Sequence, residues 1–231
     1  MSIYRILAFY WKAIKKNRAP VITVLLLMAA LAISEPWYVS EPYETIYSAT
    51  SWFYLTIGII TGFLVLCRNI YDIFSKQSVL IRVGRRSDLA VDIFLLVLLA
   101  AIVCAALYMF AFTGVSVCFT GKIPFSVLSV IMTAAALGMY LCFCGISFFI
   151  ISLISDRPGA AFLIIMLFPG ADGIFDMVKG SPLLLKYVFP PQTLLHVSGS
   201  VFAVGGAVLA VSILIVFTVF TAMMVRKDFL R

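Results

Sequence analysis

Charge is scarce in this chain. Only 12% of its 231 residues are Asp, Glu, Lys or Arg, while 64% are hydrophobic, which leaves too little polar surface to coat a water-soluble globule. Histidine is scarcer still: His196 stands alone. It has no second histidine to share a metal, so metal catalysis finds little support. The five cysteines, Cys67, Cys104, Cys118, Cys142 and Cys144, fall in or beside apolar runs. Their one close pair is C-x-C, which points to different faces of a helix, so they form neither a disulfide framework nor a zinc spacing. A phosphate loop is also lacking. The nearest string, "VCFTGKIP" (Val117–Pro124), lacks the glycine five before Gly121 and the Ser or Thr after Lys122. No fixed-period repeat, low-complexity linker or second domain is visible.

Long apolar stretches are abundant. Runs of 18 or more nearly uncharged residues recur, each long enough to cross about 30 Å of hydrocarbon as a helix. They predict an all-α integral membrane protein with six transmembrane helices, at roughly 20–39, 50–67, 89–113, 125–154, 158–178 and 200–225. A secretory signal has its apolar core near the start, whereas Arg5, Lys12, Lys15, Lys16 and Arg18 precede any long apolar run here. The N-terminus is therefore expected to stay on the chain and inside.

The basic residues give the orientation. With both termini cytoplasmic, segments 1–19, 68–88, 155–157 and 226–231 hold fourteen of the seventeen Lys and Arg residues, leaving Lys122, Lys179 and Lys186 outside. Glu35, Glu41 and Glu44 of the first outer loop sit among Trp37, Tyr38, Tyr43, Tyr47 and Trp52, as an outer interfacial belt. The net charge of +7 then reflects topology, and no nucleic-acid partner is needed to explain it. The cytoplasmic segments are each under about 25 residues, too short to fold as catalytic domains. Energy must come from another chain or from an ion gradient.

Along the chain, "SIYRILAFYWKAIKK" (residues 2–16) puts Ile3, Leu7, Tyr10 and Ile14 on one stripe and Arg5, Lys12 and Lys16 on another. That is the pattern of an interfacial amphipathic helix over 1–19, resting on membrane lipid or on a soluble partner. Gly58 and Gly62 form a GxxxG and are candidates for close helix packing. In the fifth span Pro169-Gly170 precedes Asp172 and Asp176. These carboxylates, four apart on one helical face, suit a solvated or capping role or a substrate path better than an aspartyl dyad, which needs two elements converging. Residues 179–199, broken by Pro182, Pro190 and Pro191, read as an outer re-entrant segment, a broken hairpin before the last helix. Asp92 lies just inside the third span, where a carboxylate is costly, and is expected to pair with Arg85, Arg86 or Arg157 or to sit at headgroup level.

The segment 68–88, "RNIYDIFSKQSVLIRVGRRSD", joins two spans. It interleaves Ile70, Ile73, Phe74, Val79 and Leu80 with Lys76, Arg82, Arg85 and Arg86. A loop that only binds anionic headgroups has no need of those apolar residues, whereas a segment gripped by a soluble motor does.

Taken in order, these features resemble the permease subunits of ABC-2 type ATP-binding-cassette transporters. The likeness rests on the basic start "YWKAIKKNRAP", six spans, the basic loop between spans two and three, the turn "SDRPGA" (Ser155–Ala160) and the broken segment ending "FPPQTLL". It implies that the loop at 68–88 carries a coupling helix docking on a separate ATPase. Phe74, Ser75, Lys76 and Gln77 would lie at the contact, with Arg82, Arg85 and Arg86 just after it. Asp172, Asp176, Pro190 and Pro191 would line a substrate path or outer gate. It further implies two ATPase copies carrying ATP and Mg, no cofactor bound by this chain itself, and a second permease, identical or related. The location implied is a bacterial plasma membrane, and the cargo a hydrophobic or amphipathic molecule moved outward. Alternatives are a gradient-driven transporter or channel, which normally has ionisable residues near mid-membrane, a membrane-embedded enzyme, and a peptide-binding immunity protein.

Overall fold

Inside an apolar run the backbone finds no water to bond, so helix is the conformation in which each amide is satisfied by its own segment. The computed structural model describes residues 58–74, 86–120, 126–167 and 199–226, together with Ile22 and Leu26. They form five helices and the turns at their ends: α1 Thr61–Phe74, α2 Arg86–Thr120, α3 Val127–Ser155, α4 Pro158–Met166 and α5 Gly199–Arg226. Within them, Arg86–Gly114, Val127–Ser155 and Gly205–Arg226 are long and apolar enough to cross a membrane. The described part of the protein is thus all-helical with three candidate membrane-spanning helices. Apart from Ile22 and Leu26, the expected first span lies outside the described residues, as do the interfacial helix at 1–19, the acidic aromatic belt, the outer segment before Gly199 and the fifth span beyond Leu167.

Two helix ends show why the chain starts and stops where it does. At α3 the Ser126 side chain accepts a 3.1 Å hydrogen bond from the Ser129 amide, satisfying one of the four donors that a helix start leaves open. Ser126→Ala is expected to cost about 1 kcal/mol of unfolding free energy while Ser126→Asp retains most of it, as read by unfolding in bicelles. At the other end, Asp156 takes a left-handed conformation (φ 53°), which short polar residues tolerate. Ser155 Oγ donates to the Ile151 carbonyl at 2.7 Å and accepts from the Arg157 amide at 3.2 Å. Pro158 then opens α4, where it sacrifices no intrahelical bond.

One boundary differs from the sequence expectation. The second span was placed at 50–67, but α1 continues to Phe74, preceded by a π-helical turn at 58–60. Phe63, Cys67, Ile70 and Phe74, spaced i, i+4, i+7 and i+11, are all buried, whereas Arg68 and Asp72 point out. The charges that suggested the end of the apolar run mark only the polar side of a helix that runs on.

Helix α3 is the hub. It touches each of the other four helices, and 78% of its apolar window is buried, against 44% for α2 and 17% for α5. Close approach comes from small residues. A Cβ on Gly138 would sit 3.7 Å from Ala105 Cβ, and one on Gly145 would meet Val97 Cγ1 at 2.6 Å and the Phe63 ring at 3.0 Å. Gly138, Gly145 and the fully buried Ser152 recur every seven residues, a seam that suits helices crossing at a shallow angle. Thr61 Oγ1 donates to Met166 Sδ at 3.2 Å, tying the head of α1 to the end of α4.

The outward faces are apolar. Leu95, Leu99, Ile102 and Phe110 on α2, and Val211, Leu214 and Ile215 on α5, are exposed, more than a soluble monomer carries. On α5 the hydroxyls of Ser212, Thr218 and Thr221 donate to the carbonyls four residues earlier, at 2.8–2.9 Å. That leaves them bonded in surroundings without water. This is the surface of a membrane protein.

Candidate functional site

The charged residues of the described chain are Arg68, Asp72, Arg86, Asp88, Asp92, Asp156, Arg157 and Arg226. Contacts along the helices bring them to one end. Gly145 against Val97 and Gly138 against Ala101 and Ala105 set α2 antiparallel to α3. Phe63 beside Gly145, and Tyr71 with its ring centroid 6.1 Å from that of Phe149, set α1 parallel to α3. Phe94 meets Phe217 in a tilted pair at 4.4 Å and Arg86 reaches Val225, so α5 runs antiparallel to α2. The end of α1, the start of α2, the turn between α3 and α4, and the end of α5 therefore share one level, while the opposite ends of α2, α3 and α5 carry no charge among the described residues.

A layer of rings separates these charges from the rest of the core. Phe149 is its centre, lying 6.1 Å from Tyr71 of α1, 5.8 Å from Phe148 and 5.9 Å from Phe220 of α5. The Phe94–Phe217 pair closes the α2 side. Each such pair contributes about 0.5–1.5 kcal/mol beyond its burial, so the layer joins four helices into one unit just above the charged end. Tyr71 lies beyond the apolar part of α1. Burial, then the carboxylates of Asp156 and Asp72, push its phenol up.

The residues singled out from sequence fall into four groups. Phe74 is only 8% exposed and packs in the core, because it ends the buried stripe of α1; its ring is a packing element within this chain. Arg86 is half-buried, and its Nη1 donates to the Val225 carbonyl at 3.5 Å. Gly58 and Gly62 are buried at the head of α1, so the face they mark is covered inside the chain. Ser75, Lys76, Gln77, Arg82, Arg85, Asp172, Asp176, Pro190, Pro191 and His196 lie outside the described residues.

Asp92 is 8% exposed and shares a buried face with Leu89, Ile93 and Leu96. Along α2 it falls between Arg86 at the charged end and Phe94 of the ring layer. Four of the five cysteines are buried and all are free. Cys142 and Cys144 point to different faces yet are both covered, because α3 is covered nearly all round. No group of three or more His, Cys, Asp or Glu among the described residues is arranged to hold a metal ion. Sequence reasoning missed Gly145 and Phe149. The seven-residue recurrence of Gly138, Gly145 and Ser152 was the available signal for the first; the Phe148-Phe149 doublet, in a helix this apolar, gave none for the second.

No family model, curated protein or solved structure matches the chain.

Proposed function

We propose that this protein is the membrane-spanning permease subunit of an ATP-driven exporter of the ABC-2 type, worked by a separate ATPase chain. In this reading it has six transmembrane helices, an interfacial helix at 1–19 and an outer re-entrant segment at 179–199, and both termini face the cytoplasm of a bacterial cell. A second permease completes the pathway, and two ATPase subunits supply hydrolysis with ATP and Mg.

The observation that carries the proposal is the joint gathered at the charged end. Residues 75–85 connect α1 to α2, and both helices are fastened to α3 at the same level, by Phe63 and Val97 on Gly145 and by Tyr71 on Phe149. A push delivered to the connecting segment would pass into the bundle as a rigid displacement, because a close-packed core is poorly compressible. The burial of Phe74 sharpens the expectation. The docking contact passes to Ser75, Lys76, Gln77, Arg82 and Arg85, with Phe74 fixing the start of that segment.

The apolar outward faces and the few charges within the spans favour a lipid-like or amphipathic cargo, such as a hydrophobic peptide or drug. Asp172, Asp176, Pro190 and Pro191 are the proposed outer path and gate. A gradient-driven carrier is the rival with a specific observation behind it, the buried Asp92. Co-expression with the ATPase encoded nearest its gene tests the proposal. A stable complex hydrolysing ATP is expected; in its place, proton-driven uptake abolished by Asp92→Asn would favour the rival.

A further inference from the structure

We infer that Arg86 is a latch holding the charged end of α5 on the start of α2. Helix α5 is the least covered of the three long helices, with 17% of its apolar window buried. At the charged end its contacts include Phe94 on Phe217 at 4.4 Å, Phe149 on Phe220 at 5.9 Å, and Arg86 Nη1 on the Val225 carbonyl at 3.5 Å, beside the buried Met224. The first two are ring contacts, which carry no hydrogen bond. The third is polar and lies at the extreme end.

A helix leaves its last four carbonyls without an intrahelical donor and concentrates partial negative charge there. Val225, one residue before the end of α5 at Arg226, carries one of those carbonyls. The guanidinium of Arg86 supplies a donor and a counter-charge from another helix, and Arg226 adds a second cation in the last turn of α5 itself. Arg86 is also the first residue of α2, directly after residues 75–85. Anything that draws the guanidinium away, such as a carboxylate brought up by a partner or a shift of that segment, frees the end of α5. The latch is a property of this chain alone and stands whether or not the transport reading does.

Hydrogen exchange on the full chain in neutral-lipid nanodiscs tests it. In Arg86→Ala the amides of Thr221–Arg226 are expected to exchange about two- to fivefold faster, the range that a helix-end charge supports. Amides 149–155 at the end of α3 should keep their parental rate, and Arg86→Lys, which keeps the cation, should exchange more slowly than Arg86→Ala. Unchanged exchange at the end of α5, acceleration spread equally over α3, or a lysine variant as fast as the alanine one would each overturn the latch.

Discussion

Gly145→Val is expected to unfold the bundle or to destabilise it by at least about 3 kcal/mol, the upper range for overpacking a close-packed core. Even the first added carbon would sit 2.6 Å from Val97 Cγ1 and 3.0 Å from the Phe63 ring. Both neighbours are buried: Val97 is stiff at χ1, and Phe63 ends in a planar ring. Relief would require α1 or α2 to move off α3. Gly114→Ala, where an added carbon meets nothing within 4 Å, should be neutral or stabilise by up to about 1 kcal/mol through helix propensity alone. Unfolding of both variants in bicelles, followed by tryptophan fluorescence or circular dichroism, checks the contrast. A Gly145→Val protein as stable as the parent would mean that the three helices do not meet as described.

Reversing Arg82 and Arg85 together to Glu is expected to weaken capture of the ATPase more than about tenfold, because like charges set across an interface cost several kcal/mol. Membrane insertion should persist, since fourteen basic residues stand on the expected inner side and twelve would remain. Arg86 is left unaltered in this test because it bonds the end of α5, and Phe74 because a charge there would be buried in the core. Loss of the complex with normal insertion is the expected outcome, measured by affinity purification from co-expressing cells. Undiminished ATPase binding would remove the coupling role from this segment.

Much of the architecture was legible because a bilayer imposes a crude rule. Long uncharged runs become helices, and the expected spans at 89–113, 125–154 and 200–225 fall within a few residues of α2, α3 and α5. The end of α1 was legible in part: Ile70, Ile73 and Phe74 read as one side of an amphipathic piece with Asp72 on the other, but Arg68 resembles the border of a span when read in order, which hid that this piece continues the second span. The contact faces of α3 were not legible. A helix that is apolar all round offers no contrast between its inner and outer sides, so nothing in "LCFCGISFFI" distinguishes Phe149 from its neighbours, and Gly145 stands out only by its seven-residue spacing from Gly138 and Ser152. At the candidate site, the gathering of basic residues could be read from spacing alone. The bond from Arg86 to Val225 joins residues 139 apart and follows only from the packing of α2 against α5.

In the proposed function this chain gates a path and hydrolysis elsewhere drives it. Sealed vesicles containing the purified protein alone, then the protein with its ATPase, test that claim most directly when assayed for transfer of a fluorescent amphipathic cargo. No vectorial transfer and no bond cleavage are expected from the chain alone, and ATP-dependent transfer is expected once the ATPase is added. Transfer or cleavage by the chain unaided would contradict it.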